Sequence, residues 1–332
     1  MSSRILVVAP SWIGDTIMMQ PLLMRLKARE PDAQIHVLAP AWSAPLLARM
    51  PEVTATIDNP FAHGQFDLAG RRALARRIAE ADFSSAYVLP NSWKSALVPF
   101  LARIPQRTGY TGEARYLLLN DRHTLDEAAL PRLVDRYAAL AGPLDGPAPD
   151  PRLTSTPERQ NAARAALGLP LDAAPLIFCP GAEYGPAKRW PARHFAELAT
   201  KVSPRGTPIW SVGGAKDAGI GAEIERLSGG TAVNLCGRTD LEQAIDLIAG
   251  ARAVVSNDSG LMHVAAALDR PLAALYGSSS PSYTPPLSPH AKMISLGLDC
   301  SPCFKRECPL GHLNCLNQLS PDQVLAALRD NV

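Results

Sequence analysis

The strongest constraint on this sequence is an alternation of short apolar runs with helix-like segments. The first strand is expected at residues 4–9. Residues 5–9 of it are apolar at every position, which is typical of a parallel sheet that helices cover on both faces. Further strands are expected at residues 34–39, 53–57 and 85–89, and helices at residues 14–30, 44–50 and 69–81. This order predicts a doubly wound parallel sheet in the first half of the chain.

The alternation restarts after residues 141–157, which contain five prolines and two glycines and read as a linker. Strands are then expected at residues 176–179, 208–212, 231–235, 253–256 and 272–276, and helices at residues 158–167, 191–202, 241–249, 263–268 and 320–329, the last with a capping box from Ser320 and Gln323. A chain of 332 residues exceeds what one core usually supports. We therefore expect two Rossmann-like α/β domains, residues 1–150 and 151–319, with a ligand cleft where their strands end, and a final helix in residues 320–332 that returns to the first domain.

Composition excludes several classes of protein. The formal net charge of +2 argues against a general nucleic-acid binder. No apolar run approaches the roughly 18 residues that a membrane-spanning helix needs. The first apolar run is short and ends at Pro10, which makes a poor signal peptide, so we expect a cytoplasmic protein.

Four of the six cysteines cluster near the end of the chain, at Cys300, Cys303, Cys308 and Cys315, with His312 among them. Such a density in a cytoplasmic protein suggests a metal site before disulfides. The spacings differ from those of a zinc ribbon or finger, however, and we favour reduced thiols over a structural metal. The other two, Cys179 and Cys236, lie in apolar runs and read as buried small residues.

The turn after the first strand carries a carboxylate where many nucleotide-binding proteins have a glycine-rich phosphate loop. It reads Ser11-Trp-Ile-Gly14-Asp15, and Asp15 stands near the start of a helix, whose dipole keeps the carboxylate ionised. Asp15 is either a helix-capping residue or a base that takes a proton from an attacking alcohol.

Three turns in the second half have features of an anion site. Ser259 and Gly260 open a helix whose backbone N–H groups suit a phosphate, and Asp258 is either a cap or an acceptor for a ligand hydroxyl. His263 lies one turn further on the same side and is either structural or in contact with ligand. Lys188 and Arg189 precede a helix start, where two cations are unfavourable unless an anion such as a diphosphate binds, although a solvated surface pair is the alternative. Gly213, in a Gly-Gly turn, is a weaker candidate for a ribose or base contact.

A basic segment lies between Phe66 and Tyr110. It contains seven cationic and three anionic residues, so its formal net charge is 7 − 3 = +4. Arg71, Arg72 and Lys94 belong to it. A solvated surface is one interpretation, and an anionic acceptor or an anionic membrane leaflet is the other.

Together these motifs resemble the bacterial ADP-heptose:lipopolysaccharide heptosyltransferases, a glycosyltransferase family. The resemblance rests on residues 5–8 with Ser11-Trp-Ile-Gly-Asp-Thr-Ile-Met-Met-Gln-Pro-Leu-Leu23, on Pro180-Gly-Ala182, on Lys188-Arg-Trp-Pro191 and on Ser256-Asn-Asp-Ser-Gly-Leu-Met-His263, in this order and spacing. The cysteine-rich run from Cys300 to Cys308 is similar to that of the heptosyltransferase II subgroup, which adds the second inner-core heptose. Heptosyltransferase I, or another nucleotide-sugar transferase of this family, is the alternative.

The resemblance implies a GT-B fold with two Rossmann-like domains facing across a cleft, and a metal-independent transfer that inverts the anomeric centre. It implies ADP-heptose as donor substrate, no cofactor, and the first heptose of the Kdo-lipid A core as acceptor. Apart from the resemblance, we expect a cytoplasmic monomer, and we expect any contact with the inner membrane to be peripheral, because no amphipathic anchor stands out in the sequence. By position the resemblance makes Asp15 the general base and Lys188 the cation at the donor phosphates. The remaining donor-binding residues are Gly181, Ala182, Glu183, Tyr184, Arg189, Gly213, Asp258, Ser259, Gly260, Leu261 and His263, and the acceptor-binding residues are Ser11, Trp12, Gly14, Arg71, Arg72 and Lys94.

Overall fold

The computed structural model describes residues 2–62, 64–328 and 331. The chain divides into two compact units between Pro151 and Arg152, one residue beyond the boundary expected from the proline-rich segment. Each unit is built around a parallel sheet with helices on its faces, so the α/β prediction is confirmed.

The described part of the first unit contains one sheet of six parallel strands in the order β3-β2-β1-β4-β5-β6. The strands are β1 (Arg4–Val8), β2 (Gln34–Ala39), β3 (Val53–Asp58), β4 (Ser85–Val88), β5 (Gln106–Tyr110) and β6 (Asp121–His123). From β1 the chain moves outward to β3 and then returns to place β4 on the other side of β1, with Val7 beside both Val37 and Tyr87. The edge between β1 and β4 is therefore the switch point of this sheet, where α/β proteins bind ligands beyond the strand ends.

The helices of the first unit cover this sheet with apolar faces. They are α1 (Ile13–Met18), α2 (Gln20–Arg29), α3 (Ala44–Leu47), α4 (Leu68–Ala79), α5 (Trp93–Leu101) and α6 (Leu133–Ala138). The single helix expected over residues 14–30 is instead two helices that meet at Met19. The break follows from Pro21, which has no N–H to continue the hydrogen-bond ladder of α1.

The described part of the second unit has a sheet of six parallel strands in the order β12-β11-β10-β7-β8-β9. The strands are β7 (Leu176–Cys179), β8 (Ile209–Ser211), β9 (Ala232–Asn234), β10 (Ala253–Asn257), β11 (Leu272–Leu275) and β12 (Ala291–Ile294). Its helices are α7 (Pro157–Ala166), α8 (Ala192–Val202), α9 (Ala218–Leu227), α10 (Leu241–Ala249), α11 (Gly260–Ala267), α12 (Asn314–Asn317) and α13 (Pro321–Ala327). Here β7 and β10 are neighbours, so the switch point lies between them.

The last helix, expected to return to the first domain, contributes Val324 and Leu328 to the core of the second unit. It begins with the predicted capping box, in which Ser320 accepts from the Gln323 N–H and Gln323 accepts from the Ser320 N–H. The predicted end at residue 329 lies outside the described residues.

A buried arginine ties together the loops beyond the first unit's switch point. Arg115 is 1% exposed, and its guanidinium donates to the carbonyls of Tyr110 and Pro90 and to the side-chain oxygen of Asn91. Burial lowers the pKa of Arg115 to about 10, so the group remains charged at neutral pH. Because Pro90 and Asn91 follow β4 and Tyr110 is the last residue of β5, Arg115 holds the ends of both strands.

Replacing Arg115 by Met should destabilise the protein by about 2–4 kcal/mol, since several buried carbonyl groups would lose their donor. The midpoint of urea-induced unfolding, followed by tryptophan fluorescence, measures this change. Arg77→Met, at an exposed position on α4, is the matched control and should unfold as the wild type does. Equal midpoints for the two variants would show that the hydrogen bonds of Arg115 do not support the fold.

Candidate functional site

Two polar loops lie next to each other at the switch point of the second sheet. One follows β7 and leads through a short 3₁₀ turn, Pro186–Lys188, to α8, and the other follows β10 and leads to α11. Strands β7 and β10 are paired from Leu176 with Ala253 to Cys179 with Ser256. The groups carried by these two loops therefore meet at one edge of the sheet.

A buried ion pair joins the two loops. The Nζ atom of Lys188 lies 2.5 Å from Oδ2 of Asp258, and the two side chains are 17% and 5% exposed. The hydroxyl of Ser279, in the loop after β11, donates to the same carboxylate oxygen. A carboxylate removed from water needs such partners, and here the three groups come from the ends of three neighbouring strands.

Asn257 and Trp190 hold the backbone on either side of the ion pair. The side-chain amide of Asn257 accepts from the Trp190 N–H at 3.0 Å and donates to the Pro180 carbonyl at 2.7 Å. The indole N–H of Trp190, fully buried, donates to the Leu319 carbonyl. Lys188 thus lies between two fixed points of the chain, which restricts the positions its ammonium group can take.

Further positive charge and an aromatic ring lie beside Lys188. The Tyr184 ring centroid is 5.1 Å from Nζ of Lys188 and 5.6 Å from the guanidinium carbon of Arg306. Tyr184 donates its hydroxyl hydrogen to the Phe304 carbonyl and accepts from Arg306 through its own carbonyl. Arg189, in contrast, donates to the Ala182 carbonyl, so its guanidinium supports the loop from within.

The start of α11 offers backbone N–H groups near this pair. Ser259 is the N-cap residue in an extended conformation, and its side chain makes no capping hydrogen bond to the first turn. Gly260 and Leu261 begin the helix, and the positive end of the helix dipole lies there. These amides and Lys188 form a combination that suits a diphosphate.

His263 is buried in α11 and is 6% exposed. Burial lowers its pKa to about 4, while the charge of Asp258 opposes this shift and that of Lys188 adds to it. The imidazole is therefore neutral at physiological pH. It lies in the interior of the protein, whereas the sequence analysis left open that it contacts ligand.

A second carboxylate lies in the turn after β8. Asp217 accepts from the Gly214 N–H at 3.1 Å, and burial raises the pKa of its carboxyl group. A side-chain carbon at Gly181 or Gly213 would come within 3.0 Å of this carboxylate, so a larger residue at either position would force Asp217 to move. Glu183 makes an exposed ion pair with Lys216 at 2.5 Å.

In the first unit, Asp15 lies in the first turn of α1, directly beyond β1 at that sheet's switch point. Its side chain is half-buried, whereas Gly14 is buried and Ser11 and Trp12 are exposed. Trp12 is the N-cap residue and provides no side-chain cap. A carboxylate at this helix start is stabilised in its ionised form by the helix dipole.

The cations expected to bind the acceptor differ in their surroundings. Arg71 is 7% exposed, and its guanidinium donates to the carbonyls of Lys94 and Gln65 and stacks on Phe61. It therefore holds the segment between β3 and α4 in place, and is not exposed as a surface cation. Arg72 is exposed, and the ammonium group of Lys94 donates to the Gly64 carbonyl.

The four clustered cysteines are free thiols around one small cavity, which Ala187 and His312 also line. In the part of the chain that the structure describes, no three His, Cys, Asp or Glu side chains are arranged to hold a metal ion. The loop that carries them also supports the ion pair, because Ala187 donates to the Arg306 carbonyl and Phe304 donates to the Ser278 carbonyl. The backbone of the cysteine-rich loop thus contacts the loop that carries Lys188 and the loop after β11.

Sequence reasoning missed Ser279, Asn257 and Arg306. A signal existed for Ser279, because the serine-rich segment 278–280 begins two residues after the end of a predicted strand, where polar residues often serve a site. Asn257 lies within the motif from Ser256 to His263, but nothing in that motif predicts its hydrogen bonds to Trp190 and Pro180. Nothing in the local pattern places Arg306 beside Tyr184, since their contact joins positions 122 residues apart.

Comparisons with known proteins agree on one family. A family model described as glycosyltransferase family 9 (heptosyltransferase) matches residues 71–314. Lipopolysaccharide heptosyltransferase 2 of Salmonella typhimurium is 47% identical, covering 98% of this chain and 97% of that protein. Lipopolysaccharide heptosyltransferase 1 of Pseudomonas aeruginosa is 30% identical, over 92% of this chain and 87% of that protein. The solved structure of Escherichia coli ADP-heptose lipopolysaccharide heptosyltransferase II superposes with a TM-score of 0.88 at 44% identity, covering 98% of each chain.

Substituting His263 by Gln should reduce the loss of stability on acidification. The folded protein keeps this imidazole neutral to about pH 4, whereas the unfolded chain binds a proton near pH 6.5, so acid favours unfolding within this window. Wild type should therefore lose up to about 3 kcal/mol more than the variant as the pH falls from 6.5 to 4. Urea unfolding measured across this range gives the difference, with the exposed His290→Gln as control; parallel pH profiles for wild type and His263→Gln would contradict it.

Proposed function

Because this chain belongs to glycosyltransferase family 9, the heptosyltransferases, we propose that it transfers L-glycero-D-manno-heptose from ADP-heptose to the first heptose of the Kdo-lipid A inner core. In this proposal the chain adds the second heptose of the inner core, as a heptosyltransferase II does. The support for this proposal is the 47% identity to a heptosyltransferase 2, against 30% to a heptosyltransferase 1.

The ion pair between Lys188 and Asp258 carries the proposal. An ammonium group has three donors, and Asp258 and its neighbours leave Lys188 able to donate to a further oxygen. With Asp258 holding it beside the start of α11, Lys188 can bind a phosphate oxygen of ADP while the N–H groups of Gly260 and Leu261 bind others. The cations and amides are already in place before the reaction, which is the condition for effective stabilisation of a leaving group.

The proposed chemistry is a direct displacement. Asp15 accepts the proton of the acceptor hydroxyl, the hydroxyl oxygen forms a bond to the anomeric carbon of the heptose, and the bond from that carbon to the ADP oxygen breaks. Attack from the face opposite the leaving group inverts the anomeric centre. The negative charge that develops on ADP is stabilised by Lys188 and the α11 amides. Asp258 also accepts from Ser279, and we assign it to orienting Lys188 and a donor hydroxyl.

The remaining roles follow the surroundings of each residue. Tyr184, Gly181 and Gly213 shape the donor loops, and Asp217 is the acid nearest to those two glycines. The residues proposed to bind the acceptor are Ser11, Trp12, Arg72 and Lys94.

Within the described residues no helix is both long and apolar enough to cross a bilayer. We propose that the protein acts as a monomer at the cytoplasmic face of the inner membrane, where its lipid-linked acceptor lies.

Product analysis tests the transfer itself. With ADP-heptose, a Kdo₂-lipid A acceptor bearing one heptose should gain exactly one more, detected as a mass increase of one heptose unit. The same acceptor without heptose should remain unchanged, and UDP-sugars should not replace ADP-heptose. Transfer to the acceptor without heptose would instead indicate a heptosyltransferase I activity.

Substitutions of Asp15 and Lys188 should affect different kinetic constants. Asp15→Asn should lower kcat by about 10²–10⁴ with an unchanged affinity for ADP, because the proton acceptor is lost while the donor site is intact. Lys188→Met should weaken ADP binding by about 10-fold or more, since a charge-assisted contact is lost. Steady-state kinetics and calorimetric titration with ADP separate the two effects. Lys201→Met on α8 is the control for charge removal, and an Asp15→Asn enzyme with normal kcat would exclude Asp15 as the base.

A further inference from the structure

The outward face of α5, with side chains beside it, forms an apolar surface that a folded protein would ordinarily bury. We define the α5 surface as Phe66, Trp93, Leu97, Phe100, Tyr116 and Leu117. We propose that the α5 surface docks the protein onto an anionic lipid bilayer. This extends the proposed function, whose acceptor lies in a membrane, but the binding itself can be measured without catalysis.

Helix α5 is apolar on its outward face as well as on its inward face, unlike an ordinary surface helix. Its inner positions Ala96 and Val98 are buried in the core of the first unit. Trp93, Leu97 and Phe100 recur at spacings of four and three residues, so they share the other face. Trp93 and Phe100 are 37% and 39% exposed, although polar residues would be expected on such a face.

The apolar surface continues beyond the helix at both ends. At one end the Phe66 ring lies 5.1 Å from the Trp93 ring. At the other end the guanidinium of Arg107 lies 5.6 Å from the Phe100 ring and donates to the Leu118 carbonyl. Leu117 precedes that carbonyl by one residue and is 86% exposed, the largest value among the exposed large apolar residues described.

Arginines border this surface. Arg72, Arg76 and Arg77 are exposed on α4, which packs against α5. The guanidinium of Arg122 lies 5.8 Å from the Tyr116 ring. Arg107 is placed in the same way beside the Phe100 ring.

The nearby carboxylates are engaged with backbone groups. Asp67 accepts from the Gly70 N–H at the start of α4, and Glu113 accepts from the Trp93 N–H at the start of α5. Both carboxylates serve the helix ends and keep their negative charge, but the five arginines Arg72, Arg76, Arg77, Arg107 and Arg122 outnumber them, so the border is positive.

This combination fits a bilayer better than it fits a soluble sugar phosphate. Aromatic rings and leucines that enter the level of the lipid headgroups, with arginines around them for the lipid phosphates, are the signature of surface-binding segments. Charge on an anionic leaflet attracts such a border. An acceptor headgroup alone would explain the arginines, but it would not explain apolar side chains as exposed as Leu117 and Phe66.

Flotation of the full chain with vesicles tests the proposal without donor or acceptor. The protein should float with vesicles of phosphatidylethanolamine and phosphatidylglycerol, should stay behind with phosphatidylcholine vesicles, and should release from the former as salt rises. Leu117→Ser and Phe100→Ser should each weaken binding several-fold, and Arg76→Glu with Arg77→Glu should do the same at low salt. Leu171→Ser, the same substitution at another exposed leucine, is the matched control and should bind as wild type does.

Leu117→Ser is the decisive variant because its exposure makes misfolding an improbable cause of lost binding, and circular dichroism checks the fold. Its turnover on a soluble, deacylated acceptor should equal that of wild type. Turnover therefore tests the proposed transferase activity, and flotation tests the docking surface independently. Equal flotation of Leu117→Ser, Phe100→Ser and wild type would overturn the proposal. So would binding that requires acceptor in the vesicles, or a concentration-dependent dimer that these variants abolish.

Discussion

The contact between Lys188 and Asp258 depends on the topology of the second unit. Two residues that are 70 positions apart in the chain approach to 2.5 Å because β7 and β10 are neighbours in the sheet and both loops leave the same edge. A buried ion pair of this kind contributes little net stability, because desolvation offsets most of the attraction. The ion pair instead positions an ammonium group beside the start of a helix. An anion can bind to that group without displacing any of the contacts that support it.

Hydrogen bonds from several loops support the backbone around the ion pair. Asn257 links the loop after β7 to the end of β10, Ser279 brings in the loop after β11, and the backbone around Arg306 braces the turn that carries Lys188. The cysteine-rich segment is therefore part of the site's framework whatever the state of its thiols. Backbone N–H groups, that of Leu313 first, lower the pKa of Cys308, so the local structure favours the thiolate form of this side chain.

Much of the architecture could be predicted because parallel strands that are buried on both faces leave a continuous apolar run. The strands that sequence reasoning missed, β5, β6 and β12, lack such a run: β6, for example, consists of Asp121, Arg122 and His123 at a sheet edge. Helix α5 was missed for a related reason, since its exposed face is apolar and hides the helical alternation. The motifs around Asp15, Lys188 and Asp258 were found because each follows a recognisable strand. Their partners Ser279 and Arg306 could not be paired with them locally, because register and strand order decide which loops meet.

The arginines of the first unit show why the same residue type must be assigned by burial rather than by charge count. Arg71 and Arg72 are adjacent in a basic segment, yet Arg71 is covered and bonded to two carbonyl groups whereas Arg72 is exposed. Helical geometry accounts for the difference, because neighbouring positions on α4 point about 100° apart and one of them must face α5. Desolvation lowers the pKa of Arg71, but a guanidinium starts so high that it stays charged, and its hydrogen bonds replace the water it has lost. A count of +4 over this segment therefore overstates the charge available to an anionic ligand or membrane, and the cations that remain are those that the helix turns outward.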